Sequence, residues 1–342
     1  MKHLRFALCG PARRRPRARR TAKLALLCTL LATAALTSSA PVAAYPWPIK
    51  PFNQAHPVRG NFGDPRTYFS WLATTDGLNG PGTFSFHNGI DISAKAGTPV
   101  YPVASGVAHV LSAGAVGVTT PSGRSFQYQH IDPLVFDGDP VKAGTTILGR
   151  VNNVAGHVHL SELHGGRPVN PLLRGHITPY RDRTKPVVRS VEFRNSSGVP
   201  ISPLGLAGTV SIVADAFDRP ALTPPLPWNG LPVAPALVGW SMTSLSGRPV
   251  VADSIAANFI GGLPLNGDFW SVYARGTYQN MPRFATQYFA GMPGRYLFDL
   301  APVFDTHALP NGVYQLVVTA VDTRGNAGKL TARVTILNPV KG

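Results

Sequence analysis

Apolar and polar residues alternate with a period of two along much of this chain. Val187-Val188-Arg189-Ser190-Val191-Glu192-Phe193, Val210-Ser211-Ile212-Val213-Ala214 and the run from Tyr314 to Asp322 each put apolar side chains on one face and polar ones on the other. That is the pattern of a strand with one buried face. Nearer the N-terminus, Thr98 to Val103, Gly106 to Leu111, Arg124 to Tyr128 and Thr145 to Val151 are short β-like runs bounded by glycine and proline. No long stretch carries a helical period. The pattern predicts an all-β protein of antiparallel sheets, with Asn311-Gly312 as a tight turn before the last long strand. A polar, charged stretch, Arg181-Asp182-Arg183-Thr184-Lys185-Pro186, lies between apolar segments. It divides the chain into a first domain over 45–180, a linker over 181–186 and a second domain over 187–342. A proline-rich loop from Pro220 to Pro235 interrupts the second.

The first 44 residues change the reading of composition. Residues 1–23 hold nine Lys or Arg and no acid, and the apolar run from Leu24 to Leu36 follows them. Val42-Ala43-Ala44 then offers the small residues of a signal-peptidase site, so residues 1–44 read as an export signal and the mature chain starts near Tyr45. The apolar run is shorter than the ~20 residues of a membrane span, which predicts no stable membrane insertion after cleavage. The expected destination is the periplasm, the cell wall or the medium, and Arg19-Arg20 leaves the export route open. Cys9 and Cys28 both lie in the discarded part. The mature chain would therefore have no disulfide and no thiolate chemistry. The formal charge of +16 falls to +7 once the signal is gone, without a Lys/Arg cluster in either domain. That argues against nucleic-acid binding and suits a protein working on an anionic envelope.

Chemistry must then come from His, Asp, Glu, Ser or a metal they bind. In Phe86-His87-Asn88-Gly89-Ile90-Asp91-Ile92 a histidine and an aspartate stand four residues apart. On a flat strand they would be ~13 Å apart, so they meet only if Gly89 bends the chain. In Gly156-His157-Val158-His159-Leu160 strand alternation puts both imidazoles on one face, where they need a polar or metal-bearing environment.

With Tyr128-Gln129-His130, these elements resemble the lysostaphin and LytM type of zinc endopeptidase. The match runs in order from Arg59-Gly60-Asn61-Phe62-Gly63-Asp64-Pro65-Arg66, through His87 to Ile92 and Ala96-Gly97-Thr98-Pro99-Val100-Tyr101, to Gly138 to Gly144, Ile147-Leu148-Gly149 and Val169-Asn170-Pro171-Leu172. It covers about residues 59–172. The resemblance implies an antiparallel β-sheet peptidase domain acting on the cross-link or stem peptides of peptidoglycan. It implies one zinc ion per chain, bound by His87, Asp91 and His159, with His130 and His157 assisting catalysis. Two histidines and one carboxylate leave a fourth position open, as catalytic zinc sites require. Sequence does not decide which helper histidine is the general base, and it identifies no protein partner.

One departure stands out. The family usually has an acid two residues after the second histidine of the pair, whereas here Ser161 holds that place and Glu162 follows it, facing the other way along a strand. This bears on how the site is tuned more than on whether it works. His56, His109, His164, His176 and His307 read as ordinary solvated or hydrogen-bonded side chains; Trp47, Trp71 and Phe84 are candidate groove residues with core packing as the default, and Tyr128 is either a substrate-facing or a core aromatic. The second domain resembles an immunoglobulin-like β-sandwich of the kind appended to bacterial surface enzymes. It shows no catalytic cluster, so it is expected to bind the wall or a partner, or to act as a spacer, and to be dispensable for the chemical step but not for action on intact walls. The alternative to an active peptidase is a non-catalytic relative that binds peptidoglycan or activates another hydrolase.

Overall fold

The computed structural model describes residues 44–69, 82–153, 156–280 and 293–339. Nearly all of the export segment, and Trp71, lie outside the described residues. From Tyr45 onward the chain is β-rich and antiparallel, with Phe269–Val272 as the one α-helix among the described residues. Residues from Ala43 to the C-terminus form one compact unit.

The largest sheet runs in the order Val58–Gly60, Ile90–Ser93, His157–His164, Arg124–Gln129, Ala115–Thr119, Gly106–Ser112, Pro140–Val141, and Arg167–Val169 pairs with the far end of His157–His164. The alternation read from sequence is what seats this sheet. Val158 and Leu160 join Ile90, Ile92, Phe126 and Tyr128 in one buried core, which leaves His157 and His159 on the opposite face. Tyr128 is a core residue, and its hydroxyl oxygen accepts a hydrogen bond from the Val103 amide. The strand expected over Thr145 to Val151 is confined to Gly149–Val151. Ahead of it the amides of Thr145 and Thr146 both turn back onto the Lys142 carbonyl, which closes a turn where extended chain was expected.

The C-terminal part has two four-stranded antiparallel sheets. One runs Pro200–Ile201, Val187–Arg194, Thr209–Phe217, Leu297–Asp305; the other runs Pro249–Asn258, Leu237–Ser244, Gly312–Val321, Ala327–Ile336. Their inner faces share a core built on Phe193, Ile212, Phe298, Val238, Leu316 and Val334. Asn311-Gly312 does not make a hairpin. Leu297–Asp305 and Gly312–Val321 belong to different sheets, and the chain crosses between them through a short 3-10 turn at Thr306–Ala308. Asn311 instead ties the crossing to the chain just past the C-terminal strand, exchanging hydrogen bonds with Asn338.

Phe62 and Phe86, from the N-terminal part, belong to the core of the C-terminal sheets. The Phe86 ring packs 5.4 Å from Phe269 and 5.8 Å from Tyr273. The Tyr273 hydroxyl donates to the Gly63 carbonyl at 2.7 Å. The apolar contact thus joins the C-terminal sheets to the segment that leads into His87.

Candidate metal centre

Register builds the site. His159 lies directly across from Asp91, and His157 from Ser93, between neighbouring strands. On the other side His159 faces Gln129, so His130 leaves the end of that strand beside the same pair. Facing residues on adjacent strands project to the same side, which brings Asp91, His157 and His159 to one patch. His87 arrives from a non-strand segment, since the strand begins only at Ile90. The chain bends at Asn88-Gly89, as the spacing required. Gly89 is needed for closeness: a Cβ there would stand 2.3 Å from the Leu160 carbonyl oxygen and 2.7 Å from His159 Nε2.

Three ligand atoms converge. His87 Nε2 lies 3.1 Å from Asp91 Oδ1 and 2.8 Å from His159 Nδ1, and His159 Nδ1 lies 3.1 Å from Asp91 Oδ1. A tetrahedral zinc with arms of ~2.0–2.1 Å has edges of about 3.3 Å, so the triangle is close to the size needed. All three residues are buried. The outward atom of each is also held. His87 Nδ1–H donates to the Asn61 carbonyl at 2.8 Å, His159 Nε2 lies 2.7 Å from the Ser161 hydroxyl, and Arg66 donates to Asp91 Oδ2 at 2.7 Å. Metal-binding histidines are oriented in this way by their second nitrogen. Among the described residues, this donor set fits a divalent metal with borderline-soft preference.

The two remaining histidines stand at the rim of this triangle. His157 Nε2 is 3.3 Å from Asp91 Oδ1. The rings of His130 and His157 lie 4.4 Å apart. His130 has a left-handed backbone (φ 64°), a conformation that a non-glycine residue holds at a cost and that is found at functional sites. Burial, then the repulsion of His157, pulls His130 down to about 4, so it is neutral at pH 7. Burial and the Arg66 charge pull His87 down to about 3, leaving a free nitrogen for a metal. Asp91 is held well below the usual carboxylate range: burial opposes this, but His87, His157 and Arg66 outweigh it.

Several participants were not assigned roles by sequence. Arg59, Asn61, Asp64 and Arg66 stand in the segment that carried the family resemblance, but spacing gives no hint that Arg66 reaches Asp91. Ser161 is the answer to the missing acid, since it contacts the outer nitrogen of His159 from the place that acid would hold. Glu162 points to the other face and is fully buried, where it accepts from Tyr45, Arg124, His164 and His176. His164 and His176 are therefore satisfied structural histidines.

The site opens into a cleft of about 1280 Å³, and segments that connect the C-terminal strands line part of it through Trp228, Leu263, Asn266, Gln279 and Tyr296. Trp228 is invisible to sequence reasoning as a site residue, because it sits in the proline-rich loop far along the chain.

Residues 85–171 match the sequence pattern of Peptidase family M23. No curated protein matches the chain. Among solved structures it is similar to a zinc containing peptidase from Vibrio cholerae, at 26% identity over 37% of this chain and 39% of that one, with a TM-score of 0.29. It is also similar to a mutant catalytic domain of the prophage-encoded M23 protein EnpA from Enterococcus faecalis, at 27% identity over 33% and 92% with a TM-score of 0.24. A third is the SpoIIQ-SpoIIIAH pore forming complex, at 22% identity over 38% and 90% with a TM-score of 0.29. The chain spans about two fifths of the length of the Vibrio cholerae peptidase.

Proposed function

We propose that this chain, whose residues 85–171 are a LytM-type peptidase domain, is an exported zinc metalloendopeptidase that hydrolyses peptide bonds in bacterial peptidoglycan. The observation that carries the reading is the convergence of His87 Nε2, Asp91 Oδ1 and His159 Nδ1 with two further histidines beside them that the ligand set does not need. A zinc ion held there would act as a Lewis acid on the scissile carbonyl and acidify an attacking water. The chain's own contribution is the proton traffic. Arg59 presents its guanidinium to His157 Nδ1 at 2.6 Å. Arginine only donates, so that nitrogen carries the lone pair and the proton sits on Nε2. His157 then faces the site as a donor suited to a developing oxyanion. His130, neutral at pH 7, is left as the proton acceptor.

Export after cleavage near Tyr45 belongs to the same proposal, as do a peptidase domain over 45–180 and an immunoglobulin-like domain over 187–342. Tyr45 is buried and its hydroxyl donates to Glu162 at 2.6 Å, so a chain beginning there keeps its first anchoring residue. The test is zinc analysis, with mass spectrometry of fragments released from defined peptidoglycans, on the mature protein and on His130→Ala and His157→Ala. About one zinc should be found in all three, with hydrolysis lower by about a hundred- to a thousandfold in each variant. A zinc-loaded wild type inert on every wall peptide would replace the enzyme with the non-catalytic binding relative.

A further inference from the structure

Outside the ligand triangle, several contacts that hold the site trace back to one place in the C-terminal part: the proline-rich loop that leaves strand Thr209–Phe217 and enters strand Leu237–Ser244. The loop is pinned at its base. Asp218 and Val233 exchange backbone hydrogen bonds at 2.7 and 3.0 Å. The Pro232 carbonyl accepts from both Asn280 Nδ2 and the Tyr296 hydroxyl, at 2.6 and 3.1 Å. From this base two lines of contact reach the site. In one, the Ala234 amide donates to Asp64 Oδ1 at 2.6 Å, Asp64 Oδ2 lies 3.7 Å from Arg66, and Arg66 donates to the outer oxygen of Asp91. In the other, the Trp228 ring lies against the Arg59 guanidinium, 4.0 Å from ring centroid to Cζ, and Arg59 donates to His157 Nδ1.

The second line has the sharper consequence. A guanidinium can rotate about its stem and find water instead of a neighbour. A guanidinium held over an indole ring loses that freedom, and the ring face attracts the cation electrostatically. We infer that Trp228 is a positioning residue for the reaction: by clamping Arg59 it fixes His157 in the tautomer that directs Nε2–H at the metal centre. This rests on the hydrolytic reading of the site. It gives the C-terminal part a role in catalysis through an aromatic side chain instead of a titratable group, and it makes the proline-rich loop part of the catalytic frame. The loop's stiffness is then useful, since slack at Trp228 would be passed on to His157.

Trp228 also lines the cleft, so a substrate contact is the rival explanation, and the two differ in what moves. Loss of a positioning residue lowers kcat with KM nearly unchanged, while loss of a ground-state contact raises KM. The experiment compares wild type with Trp228→Ala, Trp228→Phe and Arg59→Lys in the full mature chain. It uses zinc content, steady-state kinetics on a soluble wall peptide, and nitrogen NMR of the histidine rings, which reads the tautomer without turnover. Outer partners of metal sites typically count for about ten- to a hundredfold. Trp228→Ala should lose about that much kcat, keep its zinc and show a mixed His157 tautomer. Trp228→Phe, which keeps a flat ring under the guanidinium, should recover most of both. Arg59→Lys keeps the charge without the planar fork, and should behave like Trp228→Ala even if the latter folds poorly. A His157 tautomer and kcat unchanged in Trp228→Ala and Arg59→Lys overturn the inference, as does a loss confined to KM. A wild type with the Nε2–H tautomer locked but inert on all wall peptides supports the clamp and sinks the hydrolytic reading.

Discussion

Glu162 shows how much of the fold behind this site rests on one residue of the strand that faces away from the candidate ligands. His159 and Ser161 point towards the ligand triangle, so Glu162 points into the core, where a carboxylate survives only if it is fully paired. It receives the Tyr45 hydroxyl, the Arg124 guanidinium, and ring N–H groups of His164 and His176. Burial alone would raise its pKa, but hydrogen bonds from His176 and Tyr45 and the charges of His176 and Arg124 bring it down to about 2. The unfolded chain, with an ordinary carboxyl, takes up the proton first as pH falls. The stabilisation from Glu162 is therefore fully present above about pH 4.5 and is lost as pH drops towards 2. Glu162→Gln leaves Arg124 without its counter-charge and should cost about 3–5 kcal/mol at pH 7. Urea unfolding of wild type and Glu162→Gln, both in chelator to remove metal linkage, should show a difference that shrinks through this acid window. A difference that stays constant with pH would mean that the charge of Glu162 is not what stabilises the fold.

At the scale of elements, the candidate metal centre is an outcome of strand register plus one tight approach. Asp91 and His159 meet because they are cross-strand partners, and Gly89 lets His87 close the triangle from outside the strand. Gly89→Ala puts a methyl against the Leu160 carbonyl, a backbone atom that yields only if the strands separate. Overpacking of this kind costs about 1–3 kcal/mol. Its signature should be a lower melting temperature together with weaker zinc retention in chelator competition. Gly114→Ala, with nothing within 4 Å of the added carbon, is the control and should stay within about 0.5 kcal/mol of wild type. Zinc retention equal to wild type in Gly89→Ala would show that the close approach is not part of the site. The same elements explain what could be read from sequence. Alternation in 157–160 placed both histidines on one face and Val158 and Leu160 in the core, because a period of two needs no tertiary information. The meeting of His87, Asp91 and His159 was legible only through the order of family motifs. The sheet crossing at Thr306–Ala308 was not legible, since Asn311-Gly312 fits a hairpin locally and only the pairing partners decide between sheets. Nor were Arg59, Arg66, Ser161 and Trp228, whose roles arise from contacts that spacing along the chain does not encode.

For the whole molecule, the question is whether residues 187–342 can be removed. With no catalytic cluster visible in the sequence, they read as dispensable for the chemical step but needed for action on intact walls. The packing argues otherwise, because the boundary between the two parts is not confined to the linker. Phe62 and Phe86 are buried in the core of the C-terminal sheets, and losing that cover would return two phenylalanine side chains to water at about 1.5–3 kcal/mol each. The reciprocal bonds between Thr67 and Gln279, at 3.1 Å each, would go with it. Asp64 would lose the Ala234 amide. These contacts fall on residues 61–67 and 86, the same segments that hold His87 through the Asn61 carbonyl and Asp91 through Arg66. Candidate metal ligands and apolar interface therefore share a short stretch of backbone. A chain ending near Lys185 should melt well below the mature protein and bind zinc more weakly. Its hydrolysis of short soluble wall peptides should fall in proportion to the folded, zinc-loaded fraction or further. Melting curves, zinc titration and peptide kinetics on the truncated and mature proteins measure each part. If the truncated chain matched the mature protein in melting temperature and zinc affinity and cleaved soluble peptides at the same rate, the C-terminal sheets would be a peripheral module, and their contacts with residues 61–67 would contribute nothing to the metal centre.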